Sequence, residues 1–238
     1  MQHPVRISLR GGGGGADALA ARAVIRAALW QEGVALVAGV DEVGVGAWAG
    51  PVIAAAVILP RNTSLSGLND SKLLSAKRRA MLFDAIREHA VAIGVGRVEV
   101  SEIDLLNVYW AAMLARQRAV EALVRAPVHV LVDGKRRITG VRLPQTPIVE
   151  GDRLHPSISA SSIIAKVTRD RLMEELGAVY PGYGFEHHKG YGTLAHLTAL
   201  AQLGPLAIHR HSYLPVIAAE HRQPDFFPMQ GKEKNTGK

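Results

Sequence analysis

Val37 to Val52 reads VAGVDEVGVGAWAGPV. An apolar run delivers two adjacent carboxylates, Asp41 and Glu42, straight into a loop with glycines at 44 and 46. The run VALVAGV, residues 34–40, has the length of a buried strand. Gly50-Pro51 opens a second run, GPVIAAAVIL, whose Val52, Ile53, Val57 and Ile58 give it strand character. Side chains alternate on a regular strand, so Asp41 and Glu42 serve one site only if the strand ends or twists there.

Further along, AKRRAMLFDAIREHA has helical spacing, VAIGVGRVEV reads as a third strand and PVHVLVDG as a fourth. Ser101 with Asp104 suggests a capping box that opens one long helix, with Ile103, Leu106, Trp110, Met113 and Val120 near one face. SSIIAKVTRDRLMEEL is another helix, and residues 180–215 are rich in glycine, proline and histidine, with short helical pieces. Three early strands followed by helix–strand alternation predict an α/β domain with a mixed sheet. Residues 1–34, with GGGGG at 11–15, read as a flexible and helical extension. Residues 35–215 read as the folded domain, and 216–238 as a polar, basic tail.

The 238 residues can bury one sizeable core. No apolar run approaches the ~18 residues of a membrane span. With no cysteine, disulfides, thiol chemistry and cysteine–zinc sites are excluded, and a reducing cytoplasm is compatible. The formal net charge of +7 favours a polyanionic partner through phosphate contacts.

Two kinds of site compete at the glycine loop. Gly44 to Ala49 matches G-x-G-x-x-A after a strand, but a dinucleotide site requires a helix next, and a strand follows instead. The other kind is a metal site acting on a nucleic-acid phosphate. Asp133, like Asp41, ends an apolar strand, here just before Gly134, and strand ends are where catalytic groups gather in open α/β sheets. If the two strands are parallel neighbours, these carboxylates meet at one edge. Ser162, Lys166 and Asp170 fall at i, i+4 and i+8 and share a helical stripe. Converging carboxylates repel unless cations sit between them, and hard oxygen donors suit Mg²⁺ or Mn²⁺. Two such ions about 4 Å apart can activate a water and stabilise the leaving oxygen of a phosphodiester. The histidines at 187, 188, 196, 209 and 211 form no H-E-x-x-H pattern and read as structural.

The blocks AGVDEVGVGAWAGPVIAAAVIL, LNDSKLLS, VLVDGKRR, EGDRLHPSISASSIIAKVTRDRLM and YPGYGFEHHKGYGTLAHLTALAQLGPLAIHRHSY together resemble ribonuclease HII, in the same order, from about Ala38 to Pro215. The resemblance implies a ribonuclease H-like mixed sheet flanked by helices, with a C-terminal helical extension. It implies endonucleolytic cleavage of RNA in RNA–DNA hybrids and at ribonucleotides embedded in duplex DNA. The cut falls on the 5′ side of the ribonucleotide and leaves 3′-hydroxyl and 5′-phosphate ends, with Mg²⁺ or Mn²⁺ as cofactor. Asp41, Glu42, Asp133 and Asp170 take the catalytic, metal-holding positions. Gly44, Val45, Gly46, Lys72, Lys166 and Tyr191 take the substrate side, with Tyr191 stacking on a sugar beside the scissile phosphate. A cytoplasmic monomer is expected. One departure stands out: the family's loop carries Arg or Lys between the glycines, whereas this chain has Val45. Loss of a charged hydrogen bond weakens substrate binding roughly tenfold or more, which predicts an enzyme of weaker junction selectivity. The uncharged loop of ribonuclease HIII makes that the neighbouring alternative, and a non-catalytic hybrid-binding protein the alternative from another class.

Overall fold

A computed structural model describes residues 36–61, 65, 67–68 and 74–221. The expected N-terminal extension, most of the expected tail and Lys72 lie outside these residues. The chain runs β1 (Val37–Val43), β2 (Val52–Ile58), α1 (Ala76–His89), β3 (Ala92–Val98), α2 (Val100–Leu106), α3 (Val108–Glu121), β4 (His129–Asp133), β5 (Gln145–Ile148), α4 (Gly151–Leu154), α5 (Pro156–Val179), α6 (Phe185–His188), α7 (Leu194–Leu203) and α8 (Leu214–Glu220). The strands form one mixed sheet in the order β3-β2-β1-β4-β5. The first three strands pair antiparallel, whereas β1–β4 and β4–β5 are parallel. The expected α/β architecture with a mixed sheet is therefore the observed one.

Alternation along the strands divides the core in two. Ala38, Val40, Val52, Ala54 and Ala56 pack with Ala111, Ala115 and Ala119 of α3 on one face. On the other face, Ile53, Ala55 and Val57 pack with Leu82, Phe83 and Ile86 of α1 and with Ala160, Ile163 and Ile164 of α5. Helices approach both faces closely. A Cβ on Gly39 would stand 2.2 Å from the backbone of Ser157 and Ile158, and one on Gly96 would stand 2.0 Å from the Ala115 carbonyl oxygen.

The sequence reading needs correction at two points. The helix expected from Ser101 is two helices, and its box is Glu99 with Glu102, whose Oε2 accepts from the Glu99 N–H at 3.1 Å. Asn107 breaks the run at φ 67°, and its side chain caps the N–H groups of Tyr109 and Trp110. The break turns α3, so Trp110 is half exposed, while Ile103, Met113 and Val120 are buried as expected and Ala112, Ala115, Arg116 and Ala119 join them. β5 is missing from the sequence reading, and it carries Pro147, a residue type that argues against a strand. Here it lies at the sheet edge, where a missing N–H is tolerated. At the C-terminal end of the described residues, α8 buries Val216.

Because α5 sits against backbone at Gly39, the substitution Gly39→Ala must push the helix off the sheet. It should lower unfolding free energy by about 3 kcal/mol in urea titrations, within the range of overpacked cores.

Candidate metal and nucleic-acid site

β1 does not end at its carboxylates. It continues through Val43, paired with Ile53 of β2. Glu42 therefore faces α3 with Ala38 and Val40, and Asp41 faces α5 with Gly39. The parallel β1–β4 register sets Val40 beside Val132, so the next residues, Asp41 and Asp133, come together at the same sheet edge. There they line a cavity of about 390 Å³ with Glu42, Val43, Arg79, Ser162, Ile163 and Lys166. Strand register thus joins residues 92 positions apart, as expected if the two strands are parallel neighbours.

Each carboxylate has a different anchor. Asp41 is buried, accepts from the Glu42 N–H at 2.8 Å and is hydrogen-bonded by Ser162. Burial, then the negative charges of Glu42 and Asp133, push its carboxyl up to about 8. Asp133 accepts from the Gly151 N–H at the start of α4, at 2.8 Å. Glu42 is bound through Oε2 by both Nε and Nη2 of Arg116, a buried arginine of α3. Asp170 lies one turn beyond Lys166 on α5, and the lysine Nζ donates to it at 2.7 Å. Ser162, Lys166 and Asp170 do share the expected stripe, but Asp170 does not line the cavity. Among the described residues, no three acidic or histidine side chains converge closely enough to enclose one ion as they stand.

The glycine loop rests on two guanidinium groups, each fully buried. Arg210 donates to the carbonyls of Gly44, Val45 and Gly50, and Arg169 to those of Ala49, Pro51 and Lys189. Burial lowers the pKa of both, Arg169's to about 10. Gly44 has φ 91°, and a Cβ there would strike Arg169 Nε at 2.3 Å. Gly46 is exposed, with open space where its Cβ would be. The Val45 side chain is partly buried against the α3-side core, and Tyr213 donates its hydroxyl hydrogen to the Val45 carbonyl. Tyr191 bridges back to Ala47, with the Arg169 guanidinium 5.3 Å and Lys166 Nζ 6.0 Å from its ring centre.

Behind the loop, three histidines have fixed tautomers, and two of them are hydrogen-bonded to each other. His209 Nδ1 accepts from Leu206 N–H, so its Nε2–H points at His196 Nε2, 3.1 Å away. His196 Nδ1–H then donates to the Tyr191 carbonyl. His188 accepts from Gly190 N–H and donates to the Tyr183 carbonyl. These bonds hold the C-terminal helices, as the reading of the histidines as structural required.

Four arginines escaped the sequence reading: Arg79, Arg116, Arg169 and Arg210. Arg116 and Arg169 carried a signal, since each interrupts the small apolar face of its helix, and a buried arginine demands acceptors.

The model of the family "Ribonuclease HII" matches residues 38–216. A ribonuclease HII from Anaeromyxobacter sp. (strain Fw109-5) is 55% identical over 86% of this chain and 63% of its own length. One from Bacillus cytotoxicus is 52% identical over 79% of this chain and 72% of its own. This chain thus spans just under two thirds of the Anaeromyxobacter relative. The solved ribonuclease H2 of Pyrococcus horikoshii OT3 aligns over 78% of this chain and 97% of its own, with a TM-score of 0.68 and 25% identity. These names carry no support for moving the chain to ribonuclease HIII on the strength of Val45.

Two pH responses follow. Asp41 has a folded pKa raised above its unfolded value, so its stabilising contribution is complete below about 4 and is lost as pH rises through about 8. In thermal melts without divalent cations, Asp41→Asn should outlast the wild type by about 3 °C at pH 8, the gap shrinking towards pH 4. His196 and His209 are pushed down to about 4 by burial, so their contribution is complete above about 6.5 and fades as pH falls through 4. Trp48, its ring 5.4 Å from that of His196, should report that loosening as a change in fluorescence over the same interval.

By family model, by relatives that are half identical over most of its length, and by fold, this chain belongs to the ribonuclease HII family.

Proposed function

We propose that the protein is a divalent-cation-dependent endoribonuclease that cuts RNA in RNA–DNA hybrids and at ribonucleotides embedded in duplex DNA. The observation that carries this reading is Asp41, a buried carboxyl held beside two other acids at the mouth of a cavity. A fold has no structural use for such a repulsive group, whereas a cation turns the repulsion into binding energy.

The donors are carboxylate oxygens, which suit Mn²⁺ or Mg²⁺. Asp41, Glu42 and Asp133 would hold such ions, with Asp170 joining once released from Lys166. Two cations there would supply an activated water and charge stabilisation on the departing oxygen. In the reaction, the water oxygen bonds to phosphorus and the bond from phosphorus to the 3′-oxygen breaks. That oxygen leaves as a hydroxyl, and the phosphate stays on the 5′ end of the ribonucleotide.

The chain's own residues would position the duplex. Arg169 and Arg210 fix the loop carbonyls inward, and the open space at Gly46 lets a sugar–phosphate backbone come close. Arg79 and Lys166 at the cavity put cations within reach of phosphates. Tyr191 would stack on a sugar, disfavouring a 2′-hydroxyl at that nucleotide. A monomer working in a reducing cytoplasm fits a chain without cysteine.

The test is a labelled DNA duplex holding one ribonucleotide, incubated with Mg²⁺ or Mn²⁺. A single cut 5′ of the ribonucleotide is expected, slowed about a thousandfold or more in Asp41→Asn. Val45→Arg should tighten binding of this duplex about tenfold at low salt. Binding without any cleavage by the wild type would instead favour a non-catalytic hybrid-binding protein.

A further inference from the structure

Arg116 stands out among the charged groups around the cavity. It lies on the buried face of α3, only 7% exposed, between Ala112, Ala115 and Ala119. It crosses to the end of β1 and places Nε and Nη2 on the same oxygen, Oε2, of Glu42. Among the described residues, no donor reaches Glu42 Oε1. Lys166 holds Asp170 in the same manner on the opposite face of the sheet.

We propose that Arg116 is a built-in competitor for the divalent cation: it serves as counter-charge to Glu42 in the metal-free protein and sets the cation affinity by having to share that carboxylate. The proposal rests on the metal reading of the site given above. Arg116 is a positioning residue, since it touches a carboxylate and not the substrate. A half-buried carboxylate needs a partner, and a guanidinium with two donors on one oxygen is a strong one. An entering cation has to loosen this pair or accept Oε1 alone, and either way it feels the repulsion of a fixed positive charge behind the ligand. Removing the guanidinium while preserving bulk should therefore have two opposite effects. The metal-free protein loses stability, because Glu42 is left without a partner. The cation binds more tightly, because its competitor is gone.

The experiment is calorimetric titration of the purified full chain with Mn²⁺, without nucleic acid, alongside thermal melts with and without Mn²⁺. Arg116→Met is expected to tighten the Mn²⁺ dissociation constant about tenfold, to melt earlier without cation, and to gain more than the wild type when Mn²⁺ is added. Arg116→Lys, which keeps the charge with a single donor group, should fall between the two. In a Glu42→Gln background, Arg116→Met should leave the Mn²⁺ affinity unchanged, because the competition acts through that carboxylate. A purely structural arginine would not produce this dependence on Glu42. Unchanged or weaker Mn²⁺ binding in Arg116→Met, with wild-type uptake intact and abolished by Asp41→Asn, would overturn the proposal alone. Absence of saturable Mn²⁺ uptake by the wild type would overturn the metal reading and this inference with it.

Discussion

The structure is organised around like charges at the end of one parallel strand pair. Asp41 and Asp133 lie side by side because β1 and β4 run in the same direction in register, with Val40 beside Val132. Glu42 is forced to the neighbouring position by chain connectivity. Coulomb repulsion at these separations in a partly desolvated site costs several kcal/mol unless compensated. The fold compensates locally, with a serine hydroxyl and a backbone N–H on Asp41, another N–H on Asp133, a guanidinium on Glu42 and an ammonium on Asp170.

The rest of the fold serves to bring those compensating groups into position. Gly39 lets α5 lie against the backbone of β1, which carries Ser162 to Asp41 and sets Lys166 and Asp170 further along the same face. On the other face, Gly94 and Gly96 of β3 let α3 settle close enough for Arg116 to reach Glu42. Both approaches leave no room for a methyl group, so the placing of the acids at the edge depends on close packing in the middle of the sheet.

The C-terminal helices act on the loop, not on the acids. Arg210 reaches from just after the bridge at His209 to three loop carbonyls, and the hydrogen-bonded pair of His196 and His209 holds that segment against Tyr191. Two buried guanidiniums without a carboxylate partner in the loop place positive charge directly beneath it. Val45 itself is folded against the core.

Much of this was legible in the sequence. Short β-branched runs ending in Asp–Glu and Asp–Gly marked the strands and the acids, because strand length and alternation are local properties of the chain. The i, i+4, i+8 stripe of Ser162, Lys166 and Asp170 was equally local. Where the acids go was not. Alternation already sets Glu42 and Asp41 on opposite faces, but only the fold gives Glu42 an arginine 74 residues away and turns Asp170 to Lys166 instead of to the cavity. The kink at Asn107, the edge strand through Pro147 and the buried arginines beneath the loop were likewise set by tertiary contacts. Sequence by itself determined which residues could bear charge at a strand end. Only the packed sheet decided which charges meet, because a buried ion takes whichever partner the fold brings within hydrogen-bond reach.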